Sequence, residues 1–410
     1  MYILDRLNSL IWGSGLAVLI LLTGLLYTVK LGFIQTKLPK FLVKRDKSQN
    51  KGISQLRTVC MSLGTAMGTG NITGVAAALS IGGAGAVFWM WVSAFLGMAV
   101  VYGENSLSVT YSDKERRGPM AYLEKGLGCR KLAVFFAVMC ILAAFGMGGM
   151  VQISAFSDSL RNCVHIHPWG IAATSFILIF AVISGGARRI GSAAQILLPA
   201  VTLLFVCTCF TVILTHIHAV PKAFSAIFMD AFGARQAVGG ISGTAVSVGL
   251  RRGIFSNEAG LGSSPVLHSA AESDSPRTQG MWSMFEVFFD TMFCCTLTAV
   301  TLLCSNCGLS VGNAFSSVFG SCSGYVLALE MAVFAFCTLI GWYFCGETAF
   351  LYLSENGKKL RFAALFAVAA SLGAVLPVHA VWTLSDIFNG LMAFPNLLAL
   401  ILLVNKVGKE

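Results

Sequence analysis

Two stretches of the chain place amides, hydroxyls and an acid where a plain apolar helix would otherwise run. The first is Thr65-Ala66-Met67-Gly68-Thr69-Gly70-Asn71-Ile72-Thr73-Gly74. The second is Phe255-Ser256-Asn257-Glu258-Ala259-Gly260-Leu261-Gly262-Ser263-Ser264-Pro265. Each sits inside a long hydrophobic segment. Glycine disfavours helix, and Thr, Ser and Asn side chains bond the backbone groups that a break sets free. Irregular backbone at membrane depth survives only where protein or a wet cavity satisfies it. Both stretches therefore predict unwound segments that line a site. A half-helix N-terminus offers N–H groups and a positive dipole end to a carboxylate. A half-helix C-terminus and unwound carbonyls suit a small cation. One break can thus hold both.

Other readings of these residues compete. The glycines spell G-x-G-x-x-x-G with no strand before them, which fails the dinucleotide fingerprint. Gly64/Gly68 and Gly70/Gly74 also fit the small-x-x-x-small pattern of packed helices. Thr65, Thr69 and Asn71 favour a site, because packing needs neither amides nor hydroxyls. Glu258 is an acid at membrane depth, and such residues are functional candidates. Arg251 and Arg252 lie one to two helical turns away, so an ion pair holding the break together is the expected role of Glu258.

The elements that must position these groups follow from composition. Apolar types make up 56% of the 410 residues and charged types 11%, against about 25% charged in soluble domains. This reads as an all-α polytopic membrane protein in a lipid bilayer and excludes a cytosolic enzyme, a disulfide scaffold and a nucleic-acid partner. The net charge of +10 sits in loops between spans. Hydrophobic segments fall at 10–34, 56–80, 85–111, 132–160, 168–184, 191–215, 237–266, 281–303, 324–353, 361–376 and 379–404, which predicts eleven transmembrane helices. No segment alternates with period two, so a β-barrel is excluded. Alternate loops carry 22 Lys and Arg on one side and four on the other. That bias puts the N-terminus outside and the C-terminus inside. The first apolar run is too long for a signal peptide, lacks a cleavage site and reads as a retained helix.

Without that first helix, the two broken segments open two five-span halves of opposite orientation. The predicted divisions are 1–55 (extra helix and basic internal loop), 56–215 (first repeat), 216–236 (external connector), 237–404 (second repeat) and 405–410 (internal tail). Interrupted helices at corresponding places in two halves point to the binding site of a secondary transporter. Thirteen cysteines lie mostly inside spans. Cys304, Cys307 and Cys322 border one external loop, where a disulfide is the alternative to free thiols. His165/His167 and His216/His218 read as interfacial histidines, with a metal site as the alternative.

At these residues the chain resembles the sodium:alanine symporters of bacteria and archaea. The matching stretches are GTGNITGVAAALSIGGAGAVFWMWV (68–92), RRGPMAYLEKGLG (116–128), RRGIFSNEAGLGSSP (251–265), MFEVFFDTMFCCTLTA (284–299), FCTLIGWYFCGE (336–347) and SDIFNGLMAFPNLLAL (385–400). They run in order over nearly the whole chain. The resemblance implies a leucine-transporter-like fold with a five-plus-five inverted repeat in the bacterial inner membrane. It implies uptake of alanine or glycine driven by Na⁺, with no organic cofactor and no obligate protein partner.

Carried over, the resemblance gives the substrate carboxylate to the backbone of Gly68, Thr69, Gly70 and Asn71. It puts Thr65, Ala66 and Asn71 near substrate and sodium, with Phe255, Ser256 and Asn257 facing them. Gln152, in the fourth span, matches a glutamine beside the substrate; as a lone residue it reads equally as an interhelical hydrogen bond. In the ninth span the family's Ser-Thr is here Cys337-Thr338. A hydroxyl pair there forms a second sodium site in that fold, and a thiol is a softer ligand than Na⁺ prefers.

Glu104, Glu286, Asp290, Glu347 and Asp386 lie within or at the ends of spans. They are expected to cap or tie helices, with a proton relay as the alternative for one of them. Arg116, Arg117, Glu124 and Lys125 lie in an internal loop, where setting topology explains them. A proton-coupled carrier of the same fold, an integral-membrane enzyme and a channel are the competing functions. The last two lack support, because the chain shows neither a catalytic pair at a membrane edge nor a repeated pore loop.

Overall fold

The computed structural model describes residues 2–43, 55–113, 115–233, 244–271, 275–354 and 357–408. The helices run α1 (Tyr2–Ile11), α2 (Ser14–Lys30), α3 (Gln55–Ala66), α4 (Val75–Gly82), α5 (Gly85–Tyr111), α6 (Arg130–Ala143), α7 (Val151–Arg161), α8 (Pro168–Ile183) and α9 (Gly186–Thr215). Then come α10 (Val220–Ala231), α11 (Thr244–Asn257), α12 (Ser263–His268), α13 (Pro276–Val287), α14 (Thr296–Ser305), α15 (Val311–Phe319), α16 (Ser323–Leu353), α17 (Lys359–Leu372) and α18 (Val378–Leu402).

Among the described residues seven helical stretches are long and apolar enough to cross a membrane. The other four hydrophobic segments are helical too, within the described residues, but short. Two are split, into α3/α4 and α11/α12, while α8 and α17 have 16 and 14 residues.

Among the described residues four stretches wind as π-helix: Gly70–Gly74, Tyr122–Gly126, Ala144–Met150 and Phe288–Cys295. A π turn inserts a residue and re-aims the side chains beyond it, often at functional sites. The Ala144–Met150 stretch joins α6 to α7 just before Gln152. The Phe288–Cys295 stretch joins α13 to α14 and carries Asp290. Gly148 lets the first of these touch α16, since a Cβ there would lie 2.1 Å from the Trp342 Cβ.

The long helices α5 and α16 run through the interior and bury residues along most of their length. The short split helices pack on them, α11 and α12 against α5 and α3 and α12 against α16. The connector read at 216–236 contains the helix α10, and the loop near 304–323 contains α15. With 12 and nine residues they cannot span. Asp230 of α10 accepts from the Gly85 N–H at 2.7 Å, which docks α10 on the start of α5.

All thirteen cysteines are free thiols, so the candidate disulfide among Cys304, Cys307 and Cys322 does not form. Among the described residues no His, Cys, Asp or Glu group has the layout of a metal site. The loop after α5 is ordered by ion pairs of Arg116 with Asp113 and Glu124, both at 3.3 Å, and of Lys125 with Asp113. Partial burial works to raise the Asp113 carboxyl. The Lys125 contact and the backbone N–H groups of Arg116 and Glu115 outweigh it and hold the carboxyl down at about 2.

Candidate transport site between two broken helices

The first break lies at residues 67–69. The helical ladder lapses there, with Gly68 N–H turning back to the Ala66 carbonyl at 2.8 Å. Neutral side chains from other helices take up the freed groups. Thr338 Oγ1 donates to the Gly64 carbonyl at 2.9 Å, and Thr298 Oγ1 donates to the Asn71 carbonyl at 2.8 Å. Gln152 Oε1 accepts from the Thr69 N–H at 3.3 Å and from its hydroxyl at 3.1 Å. Gly68 packs closely against these partners: a Cβ would lie 2.8 Å from Thr338 Oγ1 and 3.0 Å from Gln152 Oε1, so a side chain there would displace one of them. Beside Gly70 and Gly74 a Cβ would meet nothing within 4 Å.

That open space is a cavity with about 30 Å³ of room for the centre of a water molecule, where one water needs about 10–15 Å³. Thr65, Ala66, Gly68, Thr69, Gly70 and Gly74 form one wall, and Gln152 and Thr338 close the sides. Phe255 and Ser256 face them from α11, and Met90, Met147, Arg252 and Trp382 complete the lining. Phe255 and Trp382 stack with ring centroids 6.5 Å apart.

Of the residues singled out in the sequence, nine thus share one cavity. Three stand outside its lining. Asn71 is turned behind the wall: its Nδ2 donates to Asp290 Oδ1 at 2.6 Å. Asn257 borders a second, smaller cavity with Ala66, Ser62, Glu258, Glu286 and Asp290. Cys337 is buried, at 3.3 Å from where a Gly64 Cβ would stand.

Asp290 is the member that sequence reading left among the helix-tying acids. It is fully buried. Besides Asn71, it accepts from Ser256 Oγ at 2.6 Å and Thr291 Oγ1 at 2.9 Å. Ser256 Oγ also lies 3.5 Å from Asn71 Oδ1. One carboxylate therefore joins the two broken helices. Oxygen donors of this kind, a carboxylate with an amide and hydroxyls, suit a hard cation. The only advance signal was an acid in mid-span.

The second break is built differently. Glu258, Gly260 and Gly262 have φ of 53°, 85° and 89°, the left-handed region where a non-glycine is uncommon. Glu258 accepts from Trp342 Nε1 at 3.1 Å and from the Ser263 hydroxyl. The expected pairing with Arg251 or Arg252 is therefore corrected. The left-handed turn at Glu258 takes its side chain off the helix spacing on which that expectation rested. Asn396 Nδ2 donates to the Gly260 carbonyl at 2.9 Å and to Glu104 Oε1 at 2.5 Å, while Tyr122 donates to Asn396 Oδ1.

With this geometry in view, a model of the sodium:alanine symporter family matches residues 1–410. The chain belongs to that family. An uncharacterized transporter of Haemophilus influenzae is 39% identical over 97% of this chain and 92% of its own. The sodium/alanine symporter AgcS of Methanococcus maripaludis is 35% identical, covering 100% of this chain and 96% of that protein. The probable sodium/glutamine symporter GlnT of Bacillus subtilis is 36% identical over 98% and 88%. Among solved structures, MhsT in complex with L-phenylalanine aligns with a TM-score of 0.66 at 12% identity, over 87% of this chain and 90% of that one. That likeness shows a leucine-transporter-like fold. Members of this symporter family are multi-pass membrane transporters of amino acids with cations, not enzymes.

Proposed function

We propose that the chain couples inward movement of Na⁺ to uptake of a small neutral amino acid, alanine or glycine. The observation that carries this is the cavity between the two breaks. Its lining of open backbone, amide and hydroxyl groups suits a small zwitterion, and a buried carboxylate with oxygen partners stands behind it. In this reading the backbone of Gly68, Thr69, Gly70 and Asn71 holds the substrate carboxylate. Thr65, Gln152, Phe255, Ser256 and Asn257 bound the substrate, and Phe255 stacked on Trp382 limits its size.

Sodium sits near Ala66 and Asn71, and Asp290 joins that set through its contacts with Asn71 and Ser256. A second sodium position falls at Thr338. Cys337 is its weakest member, because its side chain packs toward Gly64. The same proposal has eleven spans, with repeats at 56–215 and 237–404, in the bacterial inner membrane. The N-terminus is outside, by the distribution of basic loops.

The test is uptake of labelled alanine and glycine by proteoliposomes at constant pH. External Na⁺ should drive accumulation, and choline in its place should abolish it. Equal uptake in choline would favour the competing, proton-coupled cycle, which the buried Asp290 carboxylate also suits.

A further inference from the structure

The stretch ahead of the first broken helix reaches the transport cavity through one side chain. Helices α1 and α2 meet at Trp12 and Gly13. The chain bends there over a close contact, since a Cβ on Gly13 would lie 2.9 Å from the Ser9 carbonyl oxygen. Trp12 is buried at this bend. Its Nε1 donates to the Asp386 carbonyl of α18 at 2.6 Å. Gly390, one turn further along α18, leaves the seat open. A Cβ there would lie 3.1 Å from Trp12 Nε1 and overlap Ile11. The indole is thus held by its nitrogen in a notch of α18.

From that seat the ring lies against Phe255, with centroids 5.7 Å apart and planes tilted by 48°. Tilted aromatic pairs at this distance attract beyond the area they bury. Phe255 and Trp382 both line the transport cavity. Both also line a neighbouring cavity of about 530 Å³, and Trp12 lines that one with them. Phe255 is therefore a partition with a small cavity on one side and a large one on the other. It is only half-buried. A core side chain keeps its rotamer because close-packed neighbours leave it no other place. On the side of the larger cavity that packing is incomplete, and Trp12 supplies the contact. Without the indole, the Phe255 ring could swing back into the larger cavity and the transport cavity would gain the space it left.

We propose that Trp12, acting as a positioning residue, sets the upper size of the amino acid that the transport cavity accepts, by holding Phe255 in the cavity wall. The proposal rests on the reading that this cavity takes a small neutral amino acid. The extra helix is then part of the selectivity apparatus as well as an anchor in the bilayer.

The test is equilibrium binding of glycine, alanine, valine and leucine to the full-length protein in lipid nanodiscs at fixed Na⁺, read as the ratio of leucine to alanine Kd. A single methylene in a tight apolar pocket already discriminates by about tenfold or more, so Trp12→Ala should lower that ratio by at least about tenfold. Trp12→Phe keeps a ring against Phe255 and should hold the ratio within about twofold of wild type. Phe255→Ala should lower the ratio by itself, and adding Trp12→Ala to it should change nothing more, because residues that act through one another are not additive. Should Trp12→Ala fail to fold, Trp12→Val, too short to reach Phe255, must move the ratio the same way. An unmoved ratio in the folded variant overturns the proposal. So does an equal loss of affinity for all four amino acids, which marks a plain structural prop, and so do independent, additive effects of Trp12→Ala and Phe255→Ala. A wild-type protein that binds none of the four sinks the amino-acid reading and this proposal with it. One that binds alanine while Trp12→Ala leaves the ratio unmoved sinks the role of Trp12 alone.

Discussion

Two helices are broken, yet different chemistry holds each break open. At the first break, hydroxyls and an amide from Thr338, Thr298 and Gln152 satisfy the backbone, and glycines without neighbours leave room beside it. At the second, two buried acids, Glu258 and Glu104, work with Trp342 and Asn396 around three left-handed residues. The partners at the first break stand beside open space, whereas Glu104, Glu258, Trp342 and Asn396 at the second are enclosed by the fold. The first break is therefore the side that can exchange partners with a ligand. The second is an anchor that sets where Phe255 and Ser256 end their helix. Asp290 bridges the two, so that a cation beside it would feel both.

Substitutions at the two breaks should separate affinity from stability. Gly70→Leu should have the largest effect on function. Its side chain would enter the open space beside Gly70, so uptake should be lost while the protein still inserts and elutes as a folded species. Normal uptake would place the substrate elsewhere.

Glu258→Ala should be the largest blow to stability. It leaves the Trp342 indole N–H and the Ser263 hydroxyl without their shared acceptor, at about 1–3 kcal/mol for each buried unsatisfied group. Thermal unfolding in detergent should show the loss, with alanine affinity per folded molecule near that of wild type. Reduced affinity at unchanged stability would reverse the roles assigned to the two breaks.

Asn71→Ala should weaken apparent Na⁺ affinity by about 1.5–3 kcal/mol, or about tenfold to over a hundredfold, with a smaller change in unfolding temperature. Sodium activation curves of uptake measure it, and a curve that coincides with wild type would make Asn71 a purely structural tie. Smallest should be the ninth-span pair. Thr338→Val removes the hydroxyl that serves the Gly64 carbonyl, about 0.5–1.5 kcal/mol and about two- to tenfold in Na⁺ dependence. Cys337→Ser, outside the cavity lining, should leave that dependence where it is. A clear gain in Na⁺ affinity would bring Cys337 into the second sodium position.

Much of this was legible before any coordinates. Hydropathy and loop charge locate the apolar helices, because the bilayer leaves few other ways to satisfy a backbone. The breaks announce themselves through glycine beside amide and hydroxyl. What sequence could not supply was pairing at a distance. Asn71 and Asp290 stand 219 positions apart, and only the packed fold brings them together. The misassigned partner of Glu258 has a local cause. Helical spacing pointed to Arg251 and Arg252, but the left-handed turn at Glu258 ends the helix on which that spacing depends. The π stretch that carries Asp290 was hidden as well, since its residues read like those of any apolar helix.

The central claim is that cation and amino acid share the first break and the Asp290 bridge behind it. The most direct measurement is equilibrium binding of alanine to the purified wild-type protein over a series of Na⁺ concentrations in choline-balanced buffer. The account predicts that alanine affinity rises with Na⁺ and that Na⁺ affinity rises with alanine by the same factor, as linkage between the two sites requires. Alanine affinity independent of Na⁺ across the series would contradict it.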